Sequence, residues 1–263
     1  MSQQNLTPVT LITGGGTGIG AACAQRLYQA GQNIVLVGRR RDPLLSVAHQ
    51  CDATVFAGDV CDMLNWQTWK ETLRANGQRV NRVICSAGGM GLGQVKDISD
   101  EDWQQALNSN LTSAFATARA CLPDLIASHG NIVFVASIAS LAAGPAVCGY
   151  TTAKHALLGL MRSIARDYGP MGVRANAVCP GWVRTPMADE EMQPLMQEKQ
   201  LSLQHAYTYV CRHVPLKRPA TADEIAAICQ FLTSDDAAIV TGATWVADGG
   251  ATIVDVPTLA FDA

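Results

Sequence analysis

The chain has 263 residues, a length that a single α/β domain commonly reaches, and 48% of them are hydrophobic. This composition excludes a chain that is disordered throughout. The net charge of -3 argues against a nucleic-acid partner, because nucleic-acid-binding domains carry a basic excess. No apolar run reaches the ~18 residues of a membrane-spanning helix, and the N-terminus lacks a signal-peptide pattern. We therefore expect a cytoplasmic protein with no membrane partner.

The nine cysteines are scattered along the chain, and none forms a Cys-x-x-Cys pair. Disulfide scaffolds and zinc sites need closer and more regular spacing. The five histidines are also dispersed, so the sequence predicts no catalytic metal. We expect the cysteines to be reduced thiols in a reducing compartment.

Short apolar runs alternate with amphipathic stretches, a pattern that indicates strands and helices in turn. The predicted strands cover residues 9–13, 34–37, 54–57, 83–85, 132–135, 173–178 and 244–246. The predicted helices cover residues 19–30, 64–75, 101–107, 111–128 and 150–168, and residues 186–213 are helix-prone. Thr221 and Glu224 have capping-box spacing, which predicts a last helix to about residue 232.

Apolar strands separated by helices predict a parallel sheet that is covered on both faces. The expected fold class is α/β: a Rossmann-like, doubly wound parallel sheet in a three-layer α/β/α sandwich. No repeat, low-complexity tract or linker divides the sequence. Residues 1–263 are therefore predicted to form a single domain.

A glycine-rich turn, Gly14 to Gly20, lies between the first predicted strand and the first helix. Glycines there let the backbone approach a pyrophosphate, and the helix N-terminus offers free N–H groups. The spacing differs from the usual Gly-x-Gly-x-x-Gly pattern, so a plain flexible loop is the alternative. A P-loop does not fit, because no Lys-Ser or Lys-Thr follows the glycines.

Arg39 comes directly after Gly38, at the end of the second predicted strand. An acidic residue at this strand end binds the ribose 2′-hydroxyl of NAD, whereas an arginine suits the 2′-phosphate of NADP. The alternative is a solvated basic patch. We favour the phosphate interpretation, which indicates NADP(H) as the cofactor and leaves NAD(H) as the second choice.

Tyr150 and Lys154 are four residues apart in a predicted helix and therefore share one face. An ammonium beside a tyrosine favours the phenolate, and so we expect Lys154 to lower the Tyr150 pKa from its ordinary ~10. The spacing occurs often by chance, and alone it would indicate a solvated helix face.

Asn110, Ser137 and the segment Pro180-Gly181 accompany that pair, in order along the chain. With the glycine turn, this set resembles the short-chain dehydrogenase/reductase family in its compact single-domain form. The resemblance extends from residue 9 to about residue 250. It implies a catalytic tetrad of Asn110, Ser137, Tyr150 and Lys154.

The resemblance also implies a role for each member of the tetrad. Tyr150 would donate a proton to a carbonyl oxygen in reduction and accept one in oxidation, and Ser137 would hold that oxygen. Lys154 would bind the nicotinamide ribose and tune Tyr150. Asn110 would hold a water molecule that links Lys154 to bulk solvent.

The cofactor-binding residues are implied by the same resemblance. Ser86-Ala-Gly88 stands where the family usually has Asn-Ala-Gly, and Cys85 replaces a further common asparagine. This departure affects a backbone-bracing position rather than the chemistry. Besides Tyr150 and Lys154, the implied set is Gly14, Gly16, Thr17, Gly18, Ile19, Arg39, Asp59, Val60, Ser86, Ala87, Gly88, Pro180, Gly181, Val183 and Thr185.

Residues 186–215 resemble the substrate-covering helices of the family. Their apolar residues would form an adaptable lid, with ordinary helix packing as an equal alternative. Val147, Cys148 and Trp182 are expected at the pocket wall. The lid candidates are Met187, Met192, Leu195, Met196, Leu201, Tyr207 and Tyr209.

The tail at residues 251–263 is partly apolar, and we expect it to lie at a subunit interface. Members of the family are commonly homotetramers, so the resemblance implies a homotetramer or a homodimer.

These features predict an NADP(H)-dependent oxidoreductase that interconverts a carbonyl and a secondary alcohol, such as a ketone or 3-oxoacyl reductase or an alcohol dehydrogenase. Its partner would be a small-molecule substrate. One alternative is an NAD-dependent dehydrogenase of a small hydroxy acid, sugar or polyol. A more remote alternative is a non-catalytic dinucleotide sensor, although such relatives usually lose the tyrosine or the lysine.

Overall fold

The computed structural model describes residues 6–261. The first five residues and the last two residues of the predicted tail lie outside this range. The strands are β1 (Thr7–Thr13), β2 (Asn33–Gly38), β3 (Thr54–Ala57), β4 (Gln78–Cys85), β5 (Asn131–Val135), β6 (Arg174–Pro180), β7 (Val183–Arg184), β8 (Ala220–Thr221) and β9 (Thr244–Ala247). The helices are α1 (Gly18–Gln29), α2 (Arg41–Cys51), α3 (Met63–Ala75), α4 (Asp100–Leu107), α5 (Ser113–Ser128), α6 (Cys148–Tyr168), α7 (Pro186–Glu191), α8 (Gln193–Lys199), α9 (Leu203–Val210) and α10 (Ala222–Thr233).

Seven of these strands form one parallel sheet in the order β3-β2-β1-β4-β5-β6-β9. Thr13 of β1 is in register with Val37 of β2 and Cys85 of β4, so the carboxyl ends of the central strands lie at one level. The order of the strands reverses between β1 and β4. This reversal opens a crevice at the carboxyl edge of the sheet, where ligands bind in folds of this type.

The core consists of two apolar layers, one on each face of the sheet. Alternate residues of β2 serve the two layers: Val35 and Val37 face one, and Ile34 and Leu36 face the other. Helices α3, α5 and α6 cover the first face, and α1, α2 and α10 cover the second. The predicted three-layer, doubly wound fold is therefore confirmed.

Helix α2 was not among the predicted helices. Its first turn contains Arg41, Asp42 and Pro43, and these residues hide the apolar pattern of the helix. The signal was nevertheless present, because Leu44, Val47, Ala48 and Cys51 are all buried at helical spacing.

The predicted break between residues 107 and 111 is absent. Helices α4 and α5 are joined by a wider π-helical turn, Asn108–Thr112, so that one continuous helical segment runs from Asp100 to Ser128. Asn110 lies inside this turn rather than ahead of a helix. Its side-chain amide bonds with the Ala106 carbonyl at 3.0 Å, one turn earlier. Turns of this kind occur frequently at functional sites.

The capping box at α10 is confirmed. The Glu224 amide donates to the Thr221 hydroxyl at 3.2 Å, and the Glu224 carboxylate accepts from the Thr221 amide at 2.8 Å. The helix extends to Thr233, one residue beyond the expected end.

The segment at residues 186–213 folds into three short helices, α7, α8 and α9, that have a small core of their own. Ala188, Met192, Ala206 and Tyr207 are buried in this core. Trp182 packs against it from the chain just before β7. In the part of the chain from residue 6 to residue 261, no helix has both the length and the apolar character needed to cross a bilayer.

Candidate active site

The predicted site residues meet at the carboxyl edge of the sheet. The glycine turn follows β1, Ser86 follows β4, Ser137 follows β5 soon after its end, and Gly181 follows β6. Parallel strands bring these four segments to one edge because their carboxyl ends point the same way. The crevice between β1 and β4 lies at the centre of this group.

The glycine turn packs closely against the segment after β4. A Cβ added to Gly14 would lie 2.8 Å from the Ser86 carbonyl oxygen, and Gly14 has a φ of +65°, so this position requires glycine. A Cβ added to Gly20 would lie 2.4 Å from the Gly14 carbonyl oxygen. The Ala87 amide donates to the Thr13 hydroxyl at 3.2 Å, which ties the two strand ends together.

The N-terminus of α1 opens onto this turn. Thr17 is its N-cap residue, and its side chain makes no capping hydrogen bond with the first turn. The N–H groups that a helix start leaves free therefore face the turn without a side-chain partner. Gly16 and Ile19 flank this position. Gly16 lies against the start of α2, where an added Cβ would lie 3.0 Å from the Leu44 nitrogen.

The start of the lid reaches across the glycine turn. A Cβ added to Gly18 would lie 3.1 Å from the Thr185 side chain, and Thr185 caps α7 by accepting from the Ala188 amide at 3.2 Å. Gly181 is held by a hydrogen bond to the Ala247 carbonyl at 3.2 Å. Pro180 and Val183 are buried on either side of it. The structure thus brings Thr185, the last residue of the implied cofactor-binding set, over the glycine turn.

Arg39 lies at the end of β2, on the surface. Among the side chains of residues 6–261, it has no ion-pair or hydrogen-bonding partner. The preceding position is Gly38, so no carboxylate stands at the strand end. Asp59 is also exposed, and its carboxylate accepts from the Cys61 amide at 2.8 Å, while Val60 is buried beneath it. Burial raises the pKa of the Cys61 thiol, and the positive charge of nearby Arg39 opposes that rise.

Tyr150 and Lys154 lie one turn apart near the start of α6. The Lys154 nitrogen lies 5.4 Å from the centroid of the Tyr150 ring and donates to the Val135 carbonyl at 3.0 Å. The Tyr150 amide donates to the Gly91 carbonyl at 3.3 Å. These bonds fix the helix start between the ends of β4 and β5.

Ser137 stands beside the Tyr150 hydroxyl. Its own hydroxyl accepts from the Ala139 amide at 3.1 Å, which fixes the direction of the side chain at the end of β5. Burial raises the pKa of the Tyr150 phenol, and the Ser137 hydroxyl opposes that rise. The two hydroxyl groups could therefore hold a single oxygen atom between them.

Burial dominates the titration of the Tyr150 and Lys154 pair. It raises the pKa of Tyr150 above its ordinary 10.0, and the contact with Ser137 offsets only part of that rise. The lowering that we expect from Lys154 does not occur in the chain alone, because the ammonium faces the ring rather than the hydroxyl. Burial also lowers the pKa of Lys154 from 10.5 to about 8.

Asn110 holds the loop after β4 rather than standing free. Its amide nitrogen donates to the Gly89 carbonyl at 3.0 Å, and its oxygen accepts from the Gly89 amide at 3.2 Å. A Cβ added to Gly88 would lie 3.1 Å from the Asn110 oxygen and 3.8 Å from the Lys154 nitrogen. The Gly88 backbone therefore lies between the side chains of Asn110 and Lys154.

Gly91 is a site residue that the sequence interpretation missed. A Cβ there would lie 2.6 Å from the Tyr150 nitrogen, so only glycine allows the loop to approach the start of α6. The run of glycines from residue 88 to residue 93 was the available signal.

The pocket-wall candidates Val147 and Cys148 line a cavity of about 310 Å³ with the same loop, whereas Trp182 packs in the lid core.

The sequence profile described as "Enoyl-(Acyl carrier protein) reductase" matches residues 14–252. The chain belongs to the short-chain dehydrogenase/reductase family. It is 57% identical to Protein MoaE of Klebsiella aerogenes over 255 residues, which cover 96% of this chain and 98% of that protein. It is 31% identical to 2-(S)-hydroxypropyl-CoM dehydrogenase 3 of Xanthobacter autotrophicus, over 97% of this chain and all of the relative.

Solved structures share this fold across nearly the whole chain. An actinorhodin polyketide ketoreductase solved with NADPH is 26% identical, with a TM-score of 0.87, and the alignment covers 95% of this chain and 98% of the ketoreductase. The short-chain dehydrogenase/reductase described here is therefore an oxidoreductase that acts on carbonyl and alcohol groups.

The fold implies a nicotinamide dinucleotide as cofactor, and the residues present fit one. Gly14 and Gly20 allow a tight backbone turn that no Cβ could enter, and the α1 N-terminus behind Thr17 suits a pyrophosphate. The buried ammonium of Lys154 lies at the same edge.

Proposed function

We propose that this enzyme is an NADP(H)-dependent carbonyl reductase that interconverts a ketone and a secondary alcohol. The observation that carries the proposal is the meeting of Ser137, Tyr150 and Lys154 beside the glycine turn. A neutral phenol, a positioning hydroxyl and a buried ammonium at one edge suit proton transfer to a carbonyl oxygen.

The protonation state of Tyr150 suits it to act as the proton donor when a carbonyl is reduced. Because burial keeps the pKa of its phenol above 10.0, the group carries its proton at neutral pH. It can therefore donate that proton to an alkoxide that develops on a carbonyl oxygen. Ser137 would accept or donate a hydrogen bond at the same oxygen and keep it within reach. A bound nicotinamide supplies the hydride.

Lys154 would act on the cofactor rather than on the substrate. Its nitrogen is anchored to the Val135 carbonyl, and three donor directions leave it able to bind ribose hydroxyls as well. Asn110 would act indirectly, because its amide is engaged with Gly89 and Ala106. We assign it as a positioning residue for the loop beside Lys154.

The preference for NADP(H) rests on Arg39. This guanidinium, which has no side-chain partner within residues 6–261, stands at the end of β2, next to a glycine where NAD-dependent relatives would need a carboxylate. A guanidinium binds a phosphate monoester with two parallel hydrogen bonds, so the 2′-phosphate of NADP suits it.

The experiment is a screen of ketones and secondary alcohols with NADPH, NADH, NADP+ and NAD+. We expect turnover of at least one carbonyl class with NADPH, and loss of that turnover in Tyr150→Phe. Activity that survives in Tyr150→Phe would overturn the catalytic assignment. A lower KM for NADH than for NADPH would overturn the cofactor assignment and leave the chemistry intact.

We also propose that the enzyme is a homotetramer. Two separate apolar surfaces of the chain are exposed: the outer side of α5 around Phe115, which is 44% exposed, and the edge formed by β9 and the tail, where Phe261 is 87% exposed. Two distinct self-complementary surfaces build a tetramer with dihedral symmetry. Light scattering should give four times the chain mass, and removal of residues 251–263 should reduce it to a dimer.

We place the enzyme in a reducing compartment such as the cytoplasm. All nine cysteines lie within the described residues and carry free thiols. Seven of them are buried, where they pack as small apolar residues. Thiol titration of the freshly purified denatured protein should therefore find nine reactive groups.

A further inference from the structure

A cavity of about 310 Å³ opens between the loops that follow β4 and β5 at the carboxyl edge of the sheet. The loop after β4 lines the cavity with Gly93 and Val95. The loop after β5, which leads into α6, lines it with Ala143 and Val147. The proposed mechanism does not use this space.

Backbone hydrogen bonds fix the two loops to each other and to the start of α6. The Gly93 amide donates to the Ala146 carbonyl at 2.8 Å, and the Cys148 amide donates to the Gly93 carbonyl at 3.2 Å. Two residues earlier in the first loop, the Gly91 carbonyl accepts from the Tyr150 amide at 3.3 Å. Cys148 lines the cavity, so part of the cavity wall is the turn of α6 that carries Tyr150.

The walls of the cavity carry no charge. Within residues 6–261, none of the side chains that line it is acidic or basic. Gln94 and Thr152, two of its polar residues, are exposed and can keep their hydration. Large apolar side chains are also exposed in the same two loops, namely Leu92, Val95 and Leu141. Exposed apolar side chains around a groove indicate a ligand-binding surface.

Small residues leave the cavity large enough for an organic group. Ala143, Gly144 and Ala146 line it from the loop after β5, and their side chains fill little volume. An apolar cavity of about 150 Å³ holds a benzene molecule. The 310 Å³ found here therefore accommodate a phenyl ring together with a short alkyl linker.

We propose that this cavity determines substrate specificity by binding a neutral aromatic ring on the carbonyl or alcohol substrate. The substrate class would then be phenylalkyl ketones and their secondary alcohols. This inference rests on the proposed function, because the ring would bind beside the turn of α6 whose Tyr150 protonates the carbonyl oxygen. A neutral ring is favoured over a charged group, since a charge would lose its hydration in the cavity without gaining a partner.

The turnover experiment compares 4-phenyl-2-butanone with 2-butanone, which lacks the ring. The wild-type enzyme should have the higher kcat/KM for 4-phenyl-2-butanone. In Ala143→Phe the new side chain occupies the cavity, and the ratio of the two kcat/KM values should fall by about tenfold or more, because even one methylene group in an apolar pocket changes kcat/KM by about 10- to 200-fold. Ala142→Phe, the same change at an exposed neighbour outside the cavity, should leave the ratio at the wild-type value. A ratio that is equal in wild type and Ala143→Phe would overturn the inference.

A binding experiment separates this inference from the proposed function. Calorimetry measures 4-phenyl-2-butanol and 2-butanol with the enzyme and NADPH, a combination that cannot turn over. Tighter binding of the phenyl alcohol in wild type, lost in Ala143→Phe and kept in Ala142→Phe, supports the cavity site. Equal binding of both alcohols overturns it, and so does an advantage of the phenyl alcohol that persists in Ala143→Phe. If the phenyl alcohol binds as expected but no carbonyl of the screen is reduced, the proposed function fails and the binding site stands.

Discussion

The Lys154 nitrogen lies 5.4 Å from the centroid of the Tyr150 ring and is anchored to the carbonyl of Val135, the last residue of β5. Helical spacing alone would leave the ammonium free to move along the ring or into solvent. The strand carbonyl holds it under the ring face, where it is 5% exposed. The fixed ammonium is thus available to a cofactor while the phenol keeps its proton.

Replacing Tyr150 with phenylalanine removes the proton donor and leaves the ring in place. We expect kcat for ketone reduction to fall by about 10²- to 10⁴-fold, the usual contribution of a general acid. Steady-state NADPH oxidation measures this loss, and the fluorescence of bound NADPH should remain. Tyr168→Phe, at the far end of α6, is the matched control and should retain wild-type kcat. A smaller fall than tenfold in Tyr150→Phe would contradict the assignment.

The sequence predicted the sheet well because its strands are apolar on both faces and their runs stand out between helices. It predicted the strand at 54–57 to the residue, and the others within a few residues. It missed the length of β4, which starts at Gln78, because Gln78, Arg79 and Arg82 make that strand look polar. All three side chains are half-buried, and Arg82 donates to the Thr233 carbonyl at 3.0 Å, a contact that no local sequence pattern signals.

The site was harder to predict, because its bonds depend on contacts between distant segments. The π-helical turn around Asn110 arises from side-chain bonds to Gly89, 21 residues away, and no local pattern signals it. Nor could spacing show that burial, rather than Lys154, would set the direction of the Tyr150 pKa shift.

Replacing Arg39 with aspartate tests the 2′-phosphate contact. The change removes an attractive charge and adds a repulsive one, so KM for NADPH should rise by at least tenfold while KM for NADH changes little. Arg74→Asp, at the exposed end of α3, makes the same change of net charge away from the site. Initial rates with each cofactor give both constants. Equal increases for NADPH and NADH would reject the phosphate role.

Asn110 is a buried side chain whose hydrogen bonds hold the π-helical turn to the loop at Gly89. In Asn110→Ala the Gly89 amide and carbonyl lose their partners, which should lower the free energy of unfolding by about 2–4 kcal/mol. Urea denaturation measures this loss. Asn108→Ala, two residues earlier on the exposed side, should change stability by less than about 0.5 kcal/mol. Equal effects of the two variants would mean that the turn needs no bond to Gly89.

Lys154 should make the stability of the enzyme depend on alkaline pH. Its pKa is about 8 in the folded chain and 10.5 ordinarily, so between these values the unfolded chain binds more protons. Stability from this group therefore rises as pH increases from about 8 to 10.5, by about 3 kcal/mol in total.

Lys154→Met lacks the titrating group. The free energy of unfolding of the wild type, measured in urea relative to Lys154→Met, should thus increase between pH 7.5 and pH 10. The comparison at each pH cancels the titration of all other groups, and the lost bond to the Val135 carbonyl adds only a constant offset. A difference between the two proteins that stays constant over this range would show that the Lys154 ammonium is as well solvated in the folded chain as in the unfolded one.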